Sequence, residues 1–250
     1  MSCFGDSAEF TDYYFTKRSS PEHILCNIRD GEVVSMLHAL PYRISINGER
    51  RSAYLVAGVC TSACHRGNGY ASELMTYLHE NVRSDAFILQ PVDAEMFGFY
   101  ERLGYRQLCT YYTLTVENTA ERTERQPVAD FMHIAGLYTD FAERFDSDLC
   151  GGTGFIRNAI EECKTGEVFT AYTDTAFALC SESDGICDVM YVIGQYSEKL
   201  RDCICRQTDC RTVRILLSQY VDGAVCTPFN MIRTDMDMSL AGRVLTNLYY

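Results

Sequence analysis

A chain of 250 residues, 47% hydrophobic and 22% charged, can bury a substantial core and is a poor candidate for disorder. Its net charge of -12 argues against a nucleic-acid partner, whose phosphates demand Lys and Arg, and suits a cationic substrate drawn in by the long-range field. Its 13 cysteines are scattered with no paired CxxC, so no metal site is expected. Met1 to Arg18 is polar and acidic rather than a secretory leader, and no run reaches membrane-spanning length. The thiols are therefore expected to be reduced, in a cytoplasmic protein without a membrane partner.

Asp6 to Arg18 is helix-compatible and is broken by Ser19-Ser20-Pro21. Strands follow at Ile24 to Ile28, Val33 to Ile46 and Ala53 to Thr61, separated by the hairpin signals Asp30-Gly31 and Asn47-Gly48. The continuous apolar character of the third suggests a strand covered on both faces. Ala71, Leu74, Met75, Leu78 and Val82 recur at helical spacing. Phe87 to Leu89 reads as a short buried strand. Glu95 to Leu103 reads as a helix, with Asp93 as its cap and Gly104 at the left-handed stop. Leu108 to Val116 alternates as a strand. The polar stretch 117–126, closed by Pro127, reads as a boundary.

In the second half, Ala129 to Phe145 and Phe155 to Cys163 are predicted helices. Strands are predicted at Val168 to Tyr172, Ala176 to Cys180 and Cys187 to Ile193. A helix at Ser197 to Arg206 and a strand at Val213 to Leu217 follow. The order of strands, helix and strand repeats that of the first half. The predicted domains are residues 1–117, a linker at 118–128, and residues 129–250.

The segment with the most chemical content is Val59-Cys60-Thr61-Ser62-Ala63-Cys64-His65-Arg66-Gly67-Asn68-Gly69-Tyr70-Ala71, between a buried strand and an amphipathic helix. A helix N-terminus presents free backbone N–H groups, and glycines let a pyrophosphate approach them. Arg66 adds a charged donor. A tight strand-to-helix turn would have the same composition. The third glycine of a dinucleotide fingerprint and the Gly-Lys-Ser/Thr ending of a P-loop are both missing.

Arg66-Gly67-Asn68-Gly69-Tyr70-Ala71 resembles the Arg/Gln-x-x-Gly-x-Gly/Ala loop of the GNAT acetyltransferases. Phe99-Tyr100-Glu101-Arg102-Leu103-Gly104-Tyr105 resembles their second signature, with a short strand between the two. The resemblance covers about Ser7 to Val116. It implies an α+β (α/β) GNAT fold, a mixed central sheet flanked by helices. The wording of loop and helix is similar to the Eis-like branch, in which a second, degenerate GNAT-like half follows. No basic glycine-rich loop follows Val189 to Gly194, so that half is not expected to bind a cofactor. The family's first strand is expected to be missing, since Met1 falls almost at the first helix, and the chain is expected to lack the branch's sterol-carrier-like domain.

The resemblance implies acetyl transfer from acetyl-CoA, as cosubstrate, to a primary amine by direct attack, without a metal. Val59, Cys60 and Thr61 would line the thioester, a backbone N–H of Val59 or Thr61 polarising its carbonyl. Arg66, Gly67, Asn68, Gly69, Tyr70 and Ala71 would hold the pyrophosphate. Tyr100 matches the family's general acid. Ala53 to Thr61 offers no carboxylate base. In Eis-type relatives a terminal carboxylate serves, which points to Tyr250; a bound water, or an amine that arrives neutral, would also serve. His38 falls near the expected acceptor groove, where a single histidine reads as structural. The acceptor could be aminoglycoside-like, a polyamine or a peptide amine, and a homo-oligomer is compatible. A non-catalytic module that binds acetyl-CoA is the competing reading.

Overall fold

The computed structural model describes residues 7–150, 152–166, 168–237 and 244–245. The described residues form two compact units, 7–109 with 229–237, and 110–228 with the short strand at 244–245.

In the first unit, α1 (Ala8–Tyr13) is capped by the Ser7 hydroxyl, which accepts from Phe10 N at 3.0 Å. It does not run on as a regular helix to Arg18. The turn Tyr14–Arg18 is π-helical, closed by Ser19 N donating to Tyr14 O at 2.9 Å. Strands β1 (Ile24–Arg29), β2 (Glu32–Ile46) and β3 (Glu49–Thr61) form an antiparallel meander. Asp30 (φ 51°) with Gly31 (φ 82°), and Asn47 (φ 50°) with Gly48 (φ 78°), make the left-handed pairs that two-residue hairpins require.

Helix α2 (Tyr70–Asn81) buries Leu74, Met75 and Leu78, each contributing about 2 kcal/mol of apolar burial. Strand β4 (Ala86–Leu89), buried at every residue, lies parallel to β3. Helix α3 (Ala94–Glu101) is capped by Asp93, which accepts from Met96 N at 3.0 Å. Gly104 (φ 84°) ends its final turn before β5 (Arg106–Gln107).

The second unit contains β6 (Thr110–Glu117), α4 (Phe131–Ala142), β7 (Ser147–Asp148) and α5 (Gly154–Glu162). There follow β8 (Val168–Tyr172), β9 (Ala176–Ser183), β10 (Ile186–Gly194), α6 (Glu198–Cys205), β11 (Thr212–Leu217) and β12 (Val225–Pro228). Strand β13 (Met231–Arg233) belongs to the first unit, and β14 (Val244–Leu245) pairs parallel with β7.

The two mixed sheets share one topology. The first runs β1-β2-β3-β4-β13-β5. The second runs β8-β9-β10-β11-β6-β12. Each is an antiparallel meander, a crossover helix, a parallel fourth strand, and then a fifth strand antiparallel to the fourth that comes from a distant part of the chain. Strand β6 therefore does not pair in the first sheet, although the sequence reading ends its first domain at residue 117. Its Leu114 and Val116 pack on the cluster of Val213, Ile215 and Leu200. The polar stretch after it is not a free linker. Asn118 Nδ2 donates to Cys205 O (2.9 Å) and Cys210 O (3.1 Å), and Gln126 N donates to Gln207 Oε1 (2.6 Å).

Among the described residues all 12 cysteines are free thiols, no helix is long and apolar enough to cross a membrane, and no His/Cys/Asp/Glu cluster could hold a metal.

Candidate functional site

The site begins where β3 leaves β4. Their parallel pairing ends at Leu55 opposite Ile88, and β4 itself ends at Leu89, while β3 continues to Thr61. Just beyond that point the β2–β3 register shifts. His38 faces Ala57 and Met36 faces Cys60, so Leu37 alone opposes Gly58 and Val59. This is a β-bulge, and Gly58 adopts φ 58°, which a glycine takes without strain. A bulge turns backbone N–H groups out of the ladder. The strand beyond it is held by Ser35, fully buried, whose Oγ donates to Cys60 O at 2.9 Å and accepts from Thr61 Oγ1 at 3.2 Å.

A 3₁₀ turn (Ala63–His65) leads into the loop. Gly67 (φ 81°) and Gly69 (φ 82°) are both left-handed, and an added Cβ at either would meet nothing within 4 Å. Open space and four exposed residues from Arg66 to Gly69 leave the backbone approachable. Gly69 is the N-cap of α2, and no side chain caps it. The first-turn N–H groups of a 12-residue helix thus face outward without an intrahelical acceptor, at the positive end of its dipole. Arg66 Nε donates to Thr61 O at 3.3 Å, which folds its guanidinium back over the loop. Asn68 Nδ2 donates to His65 O at 3.0 Å and stiffens the turn.

Two supports were not legible in the motif. Asn27, buried on β1, donates to Tyr70 O at 3.1 Å and fixes the first turn of α2. Arg29 pairs with Glu73 at 3.2 Å and lies 5.1 Å from the Tyr70 ring centroid, placing a cation beside the only acidic residue of that turn. An Asn inside an apolar strand was the available signal for the first.

Tyr100, 6% exposed, packs edge-on against Phe99 and Tyr105. It shares an apolar cluster with Leu74, Met75, Leu89 and Met231, against which Val59 packs. The structure thus gathers Val59, Cys60, Thr61 and the 66–71 loop at one end of β3, with Tyr100 in the core beside them. Tyr250 lies outside the described residues.

The equivalent place in the second unit differs. Strand β10 also bulges between Val189 and Tyr191, where its parallel pairing with β11 ends. The helix that follows is capped, with Ser197 Oγ accepting from Leu200 N at 3.3 Å. Gly194, at φ 86°, is pressed against Thr175 and Ala176.

Residues 1–108 match the model of the acetyltransferase (GNAT) domain. Residues 1–108 are thus GNAT-like. No curated protein matches its sequence. Among solved structures it is similar to a GCN5-related N-acetyltransferase from Kribbella flavida, at 20% identity and TM-score 0.61, over 85% of this chain and 60% of that one. It is similar to Eis1 from Mycobacterium abscessus (12%, TM-score 0.51, 90% and 69%). It is also similar to Saccharomyces cerevisiae N-myristoyltransferase with bound myristoyl-CoA (9%, TM-score 0.59, 98% and 77%). At these identities the likeness is one of fold. The chain spans less than two thirds of the length of the Kribbella flavida protein.

Proposed function

We propose that the GNAT-like domain transfers the acyl group of an acyl-CoA, with acetyl-CoA as donor, to a primary amine by direct attack. One observation carries this reading: an uncapped, glycine-bounded helix N-terminus follows a β-bulge at the point where two parallel strands part. The helix end suits a pyrophosphate, because unsatisfied N–H groups and the dipole both favour negative charge. Arg66 adds a fork of donors matched to phosphate oxygens. The outward N–H of Val59 or Thr61 polarises the thioester carbonyl and stabilises the oxyanion as it forms. Tyr100 gives its proton to the departing thiolate, a role that suits a phenol kept in an apolar cluster.

The second unit is read as a degenerate GNAT-like half, as in the Eis-like branch. Its sheet repeats the first, and Ser197 Oγ already accepts from Leu200 N, one of the N–H groups that a phosphate would need. The acceptor is proposed to be a cation, since a net charge of -12 attracts one. Aminoglycosides, polyamines and peptide amines all qualify.

Thiol release from acetyl-CoA, measured on the full chain with a polyamine, an aminoglycoside and an N-terminal peptide amine, tests the reading. Tyr100→Phe should lower kcat by about 10²-fold and leave the acetyl-CoA KM unchanged. A folded protein that releases no thiol with any amine and does not bind acetyl-CoA would refute it.

A further inference from the structure

We infer that the imidazole of His38 is the group that takes the proton from the attacking amine. The inference rests on the acyl-transfer reading above, in which β3 carries no carboxylate from Ala53 to Thr61 and the terminal carboxylate of Tyr250 lies outside the described residues.

His38 stands on β2 opposite Ala57, next to the bulge. Its ring lies over Gly58. A Cβ there would come within 3.7 Å of the His38 Cδ2 and 4.0 Å of Nε2. The imidazole therefore packs against the bulge at ordinary van der Waals distance. The ring is 4% exposed, covered by Tyr14 and Phe15 at centroid distances of 5.2 and 5.7 Å. Nδ1 lies 2.6 Å from Tyr14 Oη. Nε2 is buried and has no hydrogen-bond partner among the described residues. An unpaired buried ring nitrogen costs about 1–3 kcal/mol, so a purely structural residue at this position would be better satisfied or apolar.

The groups facing the ring fit the role. Tyr14 approaches from the π-turn, and His23 acts from the 3₁₀ turn Pro21–His23. Ile24 of β1 and Ala57 and Gly58 of β3 bring no charge. Burial first, and His23 second, hold the imidazole below its ordinary pKa, so it is neutral at pH 7. The role requires the tautomer in which Nδ1–H donates to Tyr14 Oη, which leaves the lone pair on Nε2. The cover is a single π-helical turn, a geometry common at functional sites, and its Phe15 is 49% exposed. The acceptor reaches Nε2 by displacing that ring. As the amine nitrogen bonds to the acyl carbon, its N–H bond breaks toward Nε2 to give imidazolium. The C–S bond then breaks and the thiolate takes the Tyr100 proton.

The test uses the full chain as wild type, His38→Gln and Tyr14→Phe, with acetyl-CoA and the fastest amine of the panel, or acetyl-CoA hydrolysis if none reacts. His38→Gln should bind acetyl-CoA as the wild type does, lose about 10²-fold in kcat/KM, and lose the acidic limb of the pH profile. Tyr14→Phe, which touches neither donor site nor loop, should shift that limb. Should His38→Gln fail to fold, the Tyr14→Phe shift decides alone. A wild type without acetyl-CoA binding overturns the acyl-transfer reading and this inference with it. Binding and turnover with an acidic limb indifferent to both variants overturn this inference only.

Discussion

Arg233 Nη1 donates to His79 Nδ1 at 2.9 Å and to Leu103 O at 2.7 Å, so one guanidinium ties α2 to the end of α3. It comes from β13, inserted between β4 and β5. With Nδ1 accepting, His79 carries its proton on Nε2 and donates to Tyr105 Oη at 3.1 Å. Burial pushes the Tyr105 phenol up, so it stays protonated.

Burial first and Arg233 second lower the His79 pKa from 6.5 to about 4. The unfolded chain therefore takes up this proton at a higher pH than the folded one. Stability from this site is fully present above pH 6.5 and is lost as pH falls toward 4. Urea midpoints from pH 7 to 4.5 should fall, and His79→Gln should flatten the fall. Arg233→Met should cost about 2 kcal/mol at pH 7 by the same measurement.

Gly194→Ala should be among the most destabilising small changes. The residue sits at φ 86°, and an added Cβ would stand 3.0 Å from Ala176 Cα and closer still to the Thr175 carbonyl oxygen. Strain and backbone overlap together cost about 3 kcal/mol or more. Gly185, at φ 77° with nothing within 4 Å, is the control. Gly185→Ala should cost about 1 kcal/mol. Equal losses in thermal unfolding would contradict this assignment of the close approach.

Much of this was legible along the chain. The Asp-Gly and Asn-Gly hairpins, the α2 periodicity and the Asp93 cap all rest on contacts within a few residues, where sequence spacing is spatial spacing. The destination of β6 was not, because its alternation fits either sheet. Nor was β13, whose three residues carry no periodicity. The π-turn at Tyr14 carries two rings that pack on His38, a contact between residues more than 20 apart that local spacing does not reveal. In the candidate site the loop was readable from glycines and Arg66. Ser35, Asn27 and the covered His38 were not, since each acts through a partner at least 20 residues away.

Ser35→Ala tests whether the strand after the bulge must be held. It removes the hydrogen bond donated to the Cys60 carbonyl and the one accepted from Thr61 Oγ1, at about 1 kcal/mol each. Stopped-flow thiol release should slow more than that stability loss explains, because Cys60 follows Val59. Acetyl-CoA affinity should change little, since the loop keeps its own contacts through Asn27 and Asn68.

The central claim, that the 66–71 loop and the start of α2 cradle the pyrophosphate of an acyl-CoA, is tested most directly by calorimetric titration of acetyl-CoA. Wild type and Arg66→Glu would be compared at one salt concentration. Arg66 is exposed, so reversing its charge leaves the fold intact. The account predicts binding by the wild type and at least about tenfold weaker binding by the variant, the loss of one charge-assisted contact. Equal affinities, or no binding by folded wild type, would contradict it.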